Sequence, residues 1–208
     1  MSIDLLPGQI EAFPVAALAP RGADPPMLGR SKYERPKGDF FPTPDWCTEV
    51  LLRHFTPAGM VWEPACGEGH MSRVIERKGH FVFSTTLYDQ GYGHGRDVDF
   101  LAEKEPMSGI YSIITNPPYS IADEFVEHAI KLMRARGGAV AMLLRNEWDC
   151  ASSRRHLFMP SACFDTKIVL TKRPRWIEGS KGSPRHSYAW YVWDFGLMRG
   201  RCRIIHDQ

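Results

Sequence analysis

The chain has 208 residues, 43% of them hydrophobic, and a formal net charge of +2. This length and apolar content predict a single globular unit with one core. Five widely spaced cysteines without a CxxC pair argue against a disulfide framework and a zinc site, and no apolar run approaches membrane-spanning length. We therefore expect a cytoplasmic protein that holds no metal and contacts no membrane.

The first part of the chain differs from the rest in composition. Residues 2–26 contain five prolines and little periodic pattern, which is typical of loosely packed segments. The apolar stretch 12–19 follows acidic residues and contains Pro14, so it does not resemble a secretion signal. The sequence predicts a Pro-rich leader over residues 1–38 and a single domain over residues 39–208.

A Phe-Phe-Pro-Thr-Pro segment at residues 40–44 opens the predicted domain. Val50, Leu51 and Phe55 follow at helical spacing, and Asp45 is placed to cap this helix. The constrained Pro-Thr-Pro turn has a free hydroxyl and suits contact with a small polar ligand, although most such turns only introduce a helix.

A strand, a glycine loop and a helix come next. Residues 60–62 predict a short strand, and the sequence EPACGEGH follows at residues 63–70, before an amphipathic helical pattern. Gly67 and Gly69 allow a ligand to lie close to the backbone, as in nucleotide-binding α/β folds. The acidic Glu63 and the lack of a phosphate-binding lysine favour a cofactor with an amine, S-adenosylmethionine, over NAD or ATP.

Acidic residues follow the second predicted strand, residues 81–86. Asp89 comes just after the strand end, where α/β nucleotide sites commonly place a carboxylate on a ribose hydroxyl. Further on, Asp99 precedes Phe100, and an acid beside an aromatic ring can hydrogen-bond to an adenine and stack on it.

The most informative stretch is the apolar run 113–115, which leads into Asn116, Pro117, Pro118 and Tyr119. Prolines lack an amide hydrogen and fix φ, so the strand must end there in stiff, extended backbone. The Asn116 side chain and the Pro117 carbonyl supply two acceptors for one planar amino group, and Tyr119 supplies a ring to stack on it. Two such acceptors make a delocalised nitrogen, as in adenine or a glutamine amide, a better nucleophile. The alternative is a Pro-Pro turn that only closes a strand.

Later elements complete the predicted fold. A helix that starts near Ser120 ends at Gly137, a buried strand follows at 139–144, and two more strands are predicted at 167–171 and 187–193. The alternation of strands and helices predicts an α/β fold. We expect a doubly wound, mostly parallel seven-stranded sheet with an antiparallel C-terminal edge and ligands at its carboxyl edge.

Charge is distributed unevenly along the chain. Residues 1–150 hold 15 Lys and Arg against 20 Asp and Glu, a balance of −5, whereas residues 151–208 hold 11 against 4, a balance of +7. Basic residues interleaved with aromatic ones suit a phosphate backbone with exposed bases, although a solvated surface over an aromatic core gives the same pattern. The predicted nucleic-acid contacts are Arg145, Arg173, Arg175, Trp176, Lys181 and Arg185.

The motif order FxTP at 41–44, EPxxGxG at 63–69 and NPPY at 116–119 resembles the S-adenosylmethionine-dependent DNA N6-adenine methyltransferases, especially the small phage-type enzymes. The resemblance runs from about residue 40 to residue 193 and is specific only when the three motifs are taken together. It implies a class I, Rossmann-like methyltransferase fold, S-adenosylmethionine as cofactor and DNA as partner. It also implies that the target adenine flips out of its helix onto Tyr119.

The resemblance assigns roles to individual residues. In that family the first motif holds the methionine end of the cofactor, the glycine loop wraps it, and the acid and aromatic pair contacts its adenine. The implied cofactor contacts are Phe41, Thr43, Pro44, Glu63, Pro64, Ala65, Cys66, Gly67, Gly69, Thr86, Asp99, Phe100 and Asn116. The implied catalytic residues are Asn116, Pro117, Pro118 and Tyr119.

One position departs from the family pattern. The acid that similar sequences place at the end of the second strand falls on Thr86 here, so the ribose contact is open between Thr86 and Asp89. The stretch after Trp193 is too short for a separate target-recognition domain, and we expect low or short sequence specificity. The NPPY motif also occurs in RNA adenine and protein glutamine methyltransferases, but the FxTP motif favours DNA as the substrate. The basic segment would also suit a catalytically silent nucleic-acid-binding module.

Overall fold

The computed structural model describes residues 41–176, 183–196 and 201–207. The predicted leader at 1–38 and the predicted contact Lys181 lie outside these ranges. The described residues form three α-helices and eight strands. The helices are Asp45–His54 (α1), His70–Arg77 (α2) and Ala122–Arg136 (α3). The strands are Met60–Glu63 (β1), Val82–Thr86 (β2), Gly95–Arg96 (β3), Ile110–Thr115 (β4), Ala139–Arg145 (β5), Phe164–Val169 (β6), Tyr188–Asp194 (β7) and Arg203–His206 (β8).

All eight strands belong to one sheet, in the order β3-β2-β1-β4-β5-β7-β6-β8. β1 to β5 run parallel, β7 is antiparallel to both β5 and β6, and β8 runs parallel to β6. The strand order reverses between β1 and β4, which leaves a crevice outside their carboxyl ends. Such a crevice is where open α/β sheets bind ligands.

The predicted fold class is confirmed, with eight strands among the described residues rather than seven. β3 is only two residues long and lies in a glycine-rich stretch without periodicity, so local sequence contains little signal for it. β8 pairs with β6 from residues 203 to 206 and moves the edge of the sheet outward by one strand.

The sheet is covered on both faces, and β5 shows why its sequence is apolar at every position. Val140, Met142 and Leu144 lie in the hydrophobic cluster that contains the buried face of α3. Ala141 and Leu143 lie in the cluster that contains the buried residues of α1 and α2. Successive side chains of a strand point to opposite faces, so a strand between two helical layers is apolar throughout.

The ends of two helices test the sequence interpretation. The prediction that Asp45 caps α1 is wrong, because the N-cap position falls on Pro44 and makes no side-chain cap. The Asp45 carboxylate instead accepts a 2.6 Å hydrogen bond from Arg77 of α2. The predicted end of α3 is confirmed: Gly137 has φ +68° and adopts the left-handed conformation that ends the helix.

Within the described ranges, no helix has the length and apolar character needed to cross a bilayer. In the same ranges, no three His, Cys, Asp or Glu side chains are grouped so that they could hold a metal ion.

Candidate active site

A cavity of about 350 Å³ opens at the crevice between β1 and β4. Its volume is in the range of small-molecule sites. Twelve of the predicted site residues line it: Phe41, Thr43, Glu63, Pro64, Ala65, Cys66, Gly67, Thr86, Asp99, Phe100, Asn116 and Pro118. Residues from three separate motifs therefore meet in one place. The cavity lining does not include Pro44, Gly69, Pro117 and Tyr119.

The glycine loop follows β1 and forms one wall of the cavity. Gly67 has φ +53° and contributes to the lining. Gly69 has φ +79°, and a Cβ there would lie 2.4 Å from the Tyr92 ring. Both glycines are required by backbone conformation, but the close approach at Gly69 is to an aromatic ring of the protein itself.

Glu63, the last residue of β1, is a buried carboxyl with hydroxyl partners. Its side chain is 3% exposed and accepts a hydrogen bond from Ser72, whose hydroxyl lies 2.7 Å from that of Ser84. Burial raises the pKa of Glu63 to about 8, against the opposing effect of the Ser72 hydrogen bond. The same environment raises the pKa of the Cys66 thiol to about 12, through its own burial and the nearby Glu63. Cys66 is therefore a protonated lining residue rather than a nucleophile.

The turn after β2 separates the two candidates for the ribose contact. Thr86 lines the cavity, and its hydroxyl donates to the carbonyl of Tyr88 at 3.0 Å. Asp89 does not line the cavity. Its carboxylate accepts from the Gly91 amide at 2.8 Å and from Arg96 at 3.2 Å. The acid nearest in sequence to the expected position is thus engaged elsewhere.

Asp99 and Phe100 form a second part of the lining. The Asp99 carboxylate accepts from the amide of Leu101 at 3.0 Å and caps the 3-10 helix Phe100–Ala102. Phe100 is 2% exposed, and its ring meets that of Trp62 edge to face at 5.1 Å. Both residues are therefore held in fixed positions on the cavity wall before any ligand is present.

Asn116 has a side-chain amide whose orientation is determined by its partners. Its Nδ2 donates to Thr43 Oγ1 at 3.1 Å and to the carbonyl of Phe41 at 3.4 Å. A backbone carbonyl can only accept, so the NH₂ group must face Phe41 and the oxygen must point away. The Asn116 Oδ1 is buried and has no hydrogen-bond partner among the described residues. The FxTP segment thus orients the NPPY asparagine and leaves a free acceptor.

Tyr119 lies next to the cavity in a cluster of four aromatic rings, which we call the aromatic cluster: Phe41, Tyr119, Trp176 and Tyr188. The Tyr119 ring centre is 5.7 Å from that of Tyr188 and 6.3 Å from those of Phe41 and Trp176. Burial raises the pKa of the Tyr119 phenol well above its usual value. Phe41 belongs to both the cavity and the aromatic cluster, so the two adjoin.

The predicted nucleic-acid contacts that the structure describes fall on the same edge of the sheet. Arg145 ends β5 and is paired in register with Tyr188 at the start of β7. Arg173, Arg175 and Arg185 are exposed on the connection between β6 and β7. Arg173 donates to the carbonyl of Pro184 across the connection at 3.1 Å.

Much of the remaining basic surplus of the C-terminal part has a structural use. Arg201 and Arg203 both pair with Asp165, and Lys167 pairs with Asp149. Arg154 pairs with Asp123 at 2.8 Å. The charge balance of residues 151–208 therefore overstates the number of cations available to a nucleic acid.

Ten lining residues lie outside the predicted set, and two of them, His70 and Gln90, contain buried polar atoms without a partner among the described residues. The Nδ1 of His70 and the Oε1 of Gln90 are buried without hydrogen-bond partners in the described part of the chain. His70 starts α2 after the glycine loop, and Gln90 lies in the turn after β2. Their positions just beyond strand or loop ends are the only sequence signal for them.

No protein-family model and no curated protein matches the sequence. Solved structures match the fold. A proposed RNA methyltransferase from Pyrococcus horikoshii is 13% identical, with a TM-score of 0.55 over 81% of this chain and 93% of that one. The M protein of the type I restriction enzyme EcoKI is 14% identical, with a TM-score of 0.51 over 80% of this chain and 48% of that one. A proposed hemolysin from Lactococcus lactis is 8% identical, with a TM-score of 0.51 over 77% of this chain and 88% of that one. The described residues thus have a class I, Rossmann-like methyltransferase fold.

Proposed function

We propose that the protein transfers a methyl group from S-adenosylmethionine to the N6 amine of adenine in DNA. The observation that carries the proposal is the oriented amide of Asn116, a residue of the cavity lining whose Oδ1 is buried without a partner among the described residues. A buried acceptor without a partner is costly to a fold unless a ligand uses it. An amino group of the substrate would supply the missing donor.

The cavity has the chemistry that S-adenosylmethionine needs. Its wall combines the Phe100 ring and the Asp99 carboxylate for a base, the Gly67 backbone for close approach, and carboxyl and imidazole groups at Glu63 and His70 for the polar end. When bound, the cofactor supplies an electrophilic methyl group. The chain supplies the walls that orient this group towards the end of β4.

Asn116 is proposed to act on the target amine. Its Oδ1 and the carbonyl of Pro117 accept the two amine hydrogens and draw them from the plane of the base, which localises the nitrogen lone pair. The same two acceptors would stabilise the positive charge that develops on the nitrogen as it takes the methyl group and S-adenosylhomocysteine is released, and the nitrogen would then lose one proton to water. Because both are held by rigid backbone or by Thr43 and Phe41, they need no rearrangement when the reaction begins.

The aromatic cluster and the basic connection suit DNA. Tyr119 offers a ring for a base flipped from its helix, and Trp176 is adjacent. Arg173, Arg175 and Arg185 are exposed beside this edge and suit phosphate contacts. A short connection delivers few side chains to base edges, so we propose low or short sequence specificity.

The test is a transfer assay with competing acceptors. The full-length protein is incubated with methyl-labelled S-adenosylmethionine and equal masses of unmethylated duplex DNA, denatured DNA, RNA and protein. Label is expected in DNA, and S-adenosylhomocysteine, the product of the cofactor, should suppress it. If most of the label enters RNA or protein, that polymer is the substrate and the proposal of DNA is wrong. If the protein binds the cofactor but transfers label to no acceptor, the proposed activity is wrong as well.

A further inference from the structure

The turn after β2 contains a buried polar group that the proposed reaction does not explain. Gln90 lines the cavity, and its Oε1 is buried without a hydrogen-bond partner in the described ranges. The residue as a whole is half-buried, its side chain belongs to the cavity lining, and its Oε1 is shielded from solvent. A side-chain oxygen placed in this way is ready to accept a hydrogen bond from a ligand.

The other polar groups of this turn are already engaged. The Thr86 hydroxyl donates its hydrogen to the carbonyl of Tyr88, so it offers the cavity only an acceptor lone pair. Asp89 lies outside the cavity lining and is bound by Arg96 and by the Gly91 amide. No carboxylate between Thr86 and Gly91 faces the cavity.

A ribose bound at this place presents two hydroxyl groups, which need acceptors and can also accept. An amide side chain supplies an acceptor oxygen and two N–H donors, so it can satisfy a vicinal diol without carrying charge. We propose that Gln90 binds the ribose hydroxyls of the cofactor, so that a neutral amide stands where a carboxylate is usual in α/β nucleotide sites. This inference rests on the proposed use of S-adenosylmethionine.

The amide and carboxylate alternatives make different predictions about affinity. A hydrogen bond to an ionised acceptor is roughly twice as strong as one between neutral groups. Gln90→Ala should therefore weaken binding of S-adenosylhomocysteine about tenfold, and Gln90→Glu should bind it at least as tightly as the parent. Asp89→Asn is the matched control, because it removes a neighbouring acid that lies outside the cavity, and its affinity should not change.

The experiment is isothermal titration of the full-length parent and these variants with S-adenosylhomocysteine and with its 2′-deoxy and 3′-deoxy analogues. Thermal unfolding of each variant confirms that it is folded. The parent should lose affinity when a ribose hydroxyl is removed, whereas Gln90→Ala should bind at least one deoxy analogue as well as it binds the full ribose. If Gln90→Ala binds like the parent, or remains as sensitive to both hydroxyls, the inference is wrong while the proposed function stands. If the parent does not bind S-adenosylhomocysteine at all, both are wrong.

Discussion

The cavity and the aromatic cluster adjoin at Phe41, but one is open space and the other is a set of rings in mutual contact. In the cavity wall, Asn116, Gln90 and His70 each keep a buried polar atom without a partner in the described part of the chain. In the aromatic cluster, Tyr119 packs against the rings of Phe41, Trp176 and Tyr188. Buried polar atoms without a partner in the described residues also occur in the aromatic cluster, at the Tyr119 hydroxyl and the Trp176 Nε1, but there the rings pack against one another, whereas the cavity is open space of about 350 Å³. The proposed function assigns the cofactor to the open cavity and the target base to the edge of the aromatic cluster at Tyr119.

Asn116 lies on the border of the two regions, and its loss should have the largest effect. Asn116→Ala should lower the transfer rate about 100-fold or more, the usual cost of removing one preorganised electrostatic group. Affinity for S-adenosylhomocysteine should change little, because the side chain acts on the target amine. Single-turnover rates and isothermal titration of the same preparation give both values. A variant within a few fold of the parent in rate would contradict the assignment.

Tyr119 tests the aromatic cluster. Tyr119→Ala should weaken the handling of the target base by about 1–3 kcal/mol, the value of one base stack, whereas Tyr119→Phe should retain most activity because the ring makes the contact. The measurement is kcat/KM for DNA. If Tyr119→Phe is as inactive as Tyr119→Ala, the hydroxyl group of Tyr119, and not only its ring, takes part in the reaction.

Thr43 connects the FxTP segment to the cavity wall. Thr43→Val keeps the shape but removes the oxygen that accepts from Asn116 Nδ2, and the transfer rate should fall by about 2- to 12-fold, the worth of one net hydrogen bond. Thr48→Val is the matched control, since Thr48 is also buried and its hydroxyl has no partner in the described ranges. If Thr43→Val and Thr48→Val transfer methyl groups at the same rate, the Thr43 hydroxyl does not orient Asn116 for the reaction.

The exposed arginines beside the aromatic cluster should contribute affinity for DNA and little else. The double variant Arg173→Glu, Arg185→Glu should lower the slope of log affinity against log salt by about 0.9 for each phosphate that the protein no longer neutralises. The double variant Lys131→Glu, Arg134→Glu, at exposed positions of α3, is the control with the same change in charge. If the parent, the variant and the control have the same salt slope, Arg173 and Arg185 do not contact DNA phosphates, and the connection between β6 and β7 is an ordinary solvated surface.

Glu63 should make the stability of the ligand-free protein depend on pH. Burial raises its pKa from 4.5 to about 8, so between these values the folded state binds more protons than the unfolded state. The free energy of unfolding must then fall as pH rises through that window. Glu63→Gln removes this titration, and its melting temperature should fall less between pH of about 5 and about 8. Parallel curves for parent and variant would refute the raised pKa.

The sequence predicted elements better than it predicted contacts between them. Apolar periodicity located β1, β2, β4 and β5, and the carboxyl ends of parallel strands necessarily share one edge. The hydrogen bond from Asn116 to Thr43 joins residues 73 positions apart, and no local pattern encodes it. Gln90 was missed because a neutral residue in a turn belongs to no motif.

Charge was the least reliable guide, for a related reason. Arg201 and Arg203 counted towards a basic segment, yet both pair with Asp165. Burial raises the pKa of Asp165, but the hydrogen bonds from Arg201 and Thr166 and the charges of Arg201 and Arg203 together outweigh it, so the pKa is lowered. Composition cannot show which cations have partners, because the pairing depends on strand register. Among the described residues, Arg145, Trp176 and the exposed arginines on the connection between β6 and β7 keep the predicted role as a proposal.

The central claim concerns one atom, the N6 nitrogen of adenine, and nucleoside analysis tests it most directly. Unmethylated DNA is treated with the full-length protein and isotope-labelled S-adenosylmethionine, digested to nucleosides and separated by liquid chromatography with mass detection. The account predicts labelled N6-methyldeoxyadenosine, and its formation at a rate lower by about 100-fold or more when Asn116→Ala replaces the parent. Label on cytosine, on a ring carbon or on no nucleoside at all would contradict it.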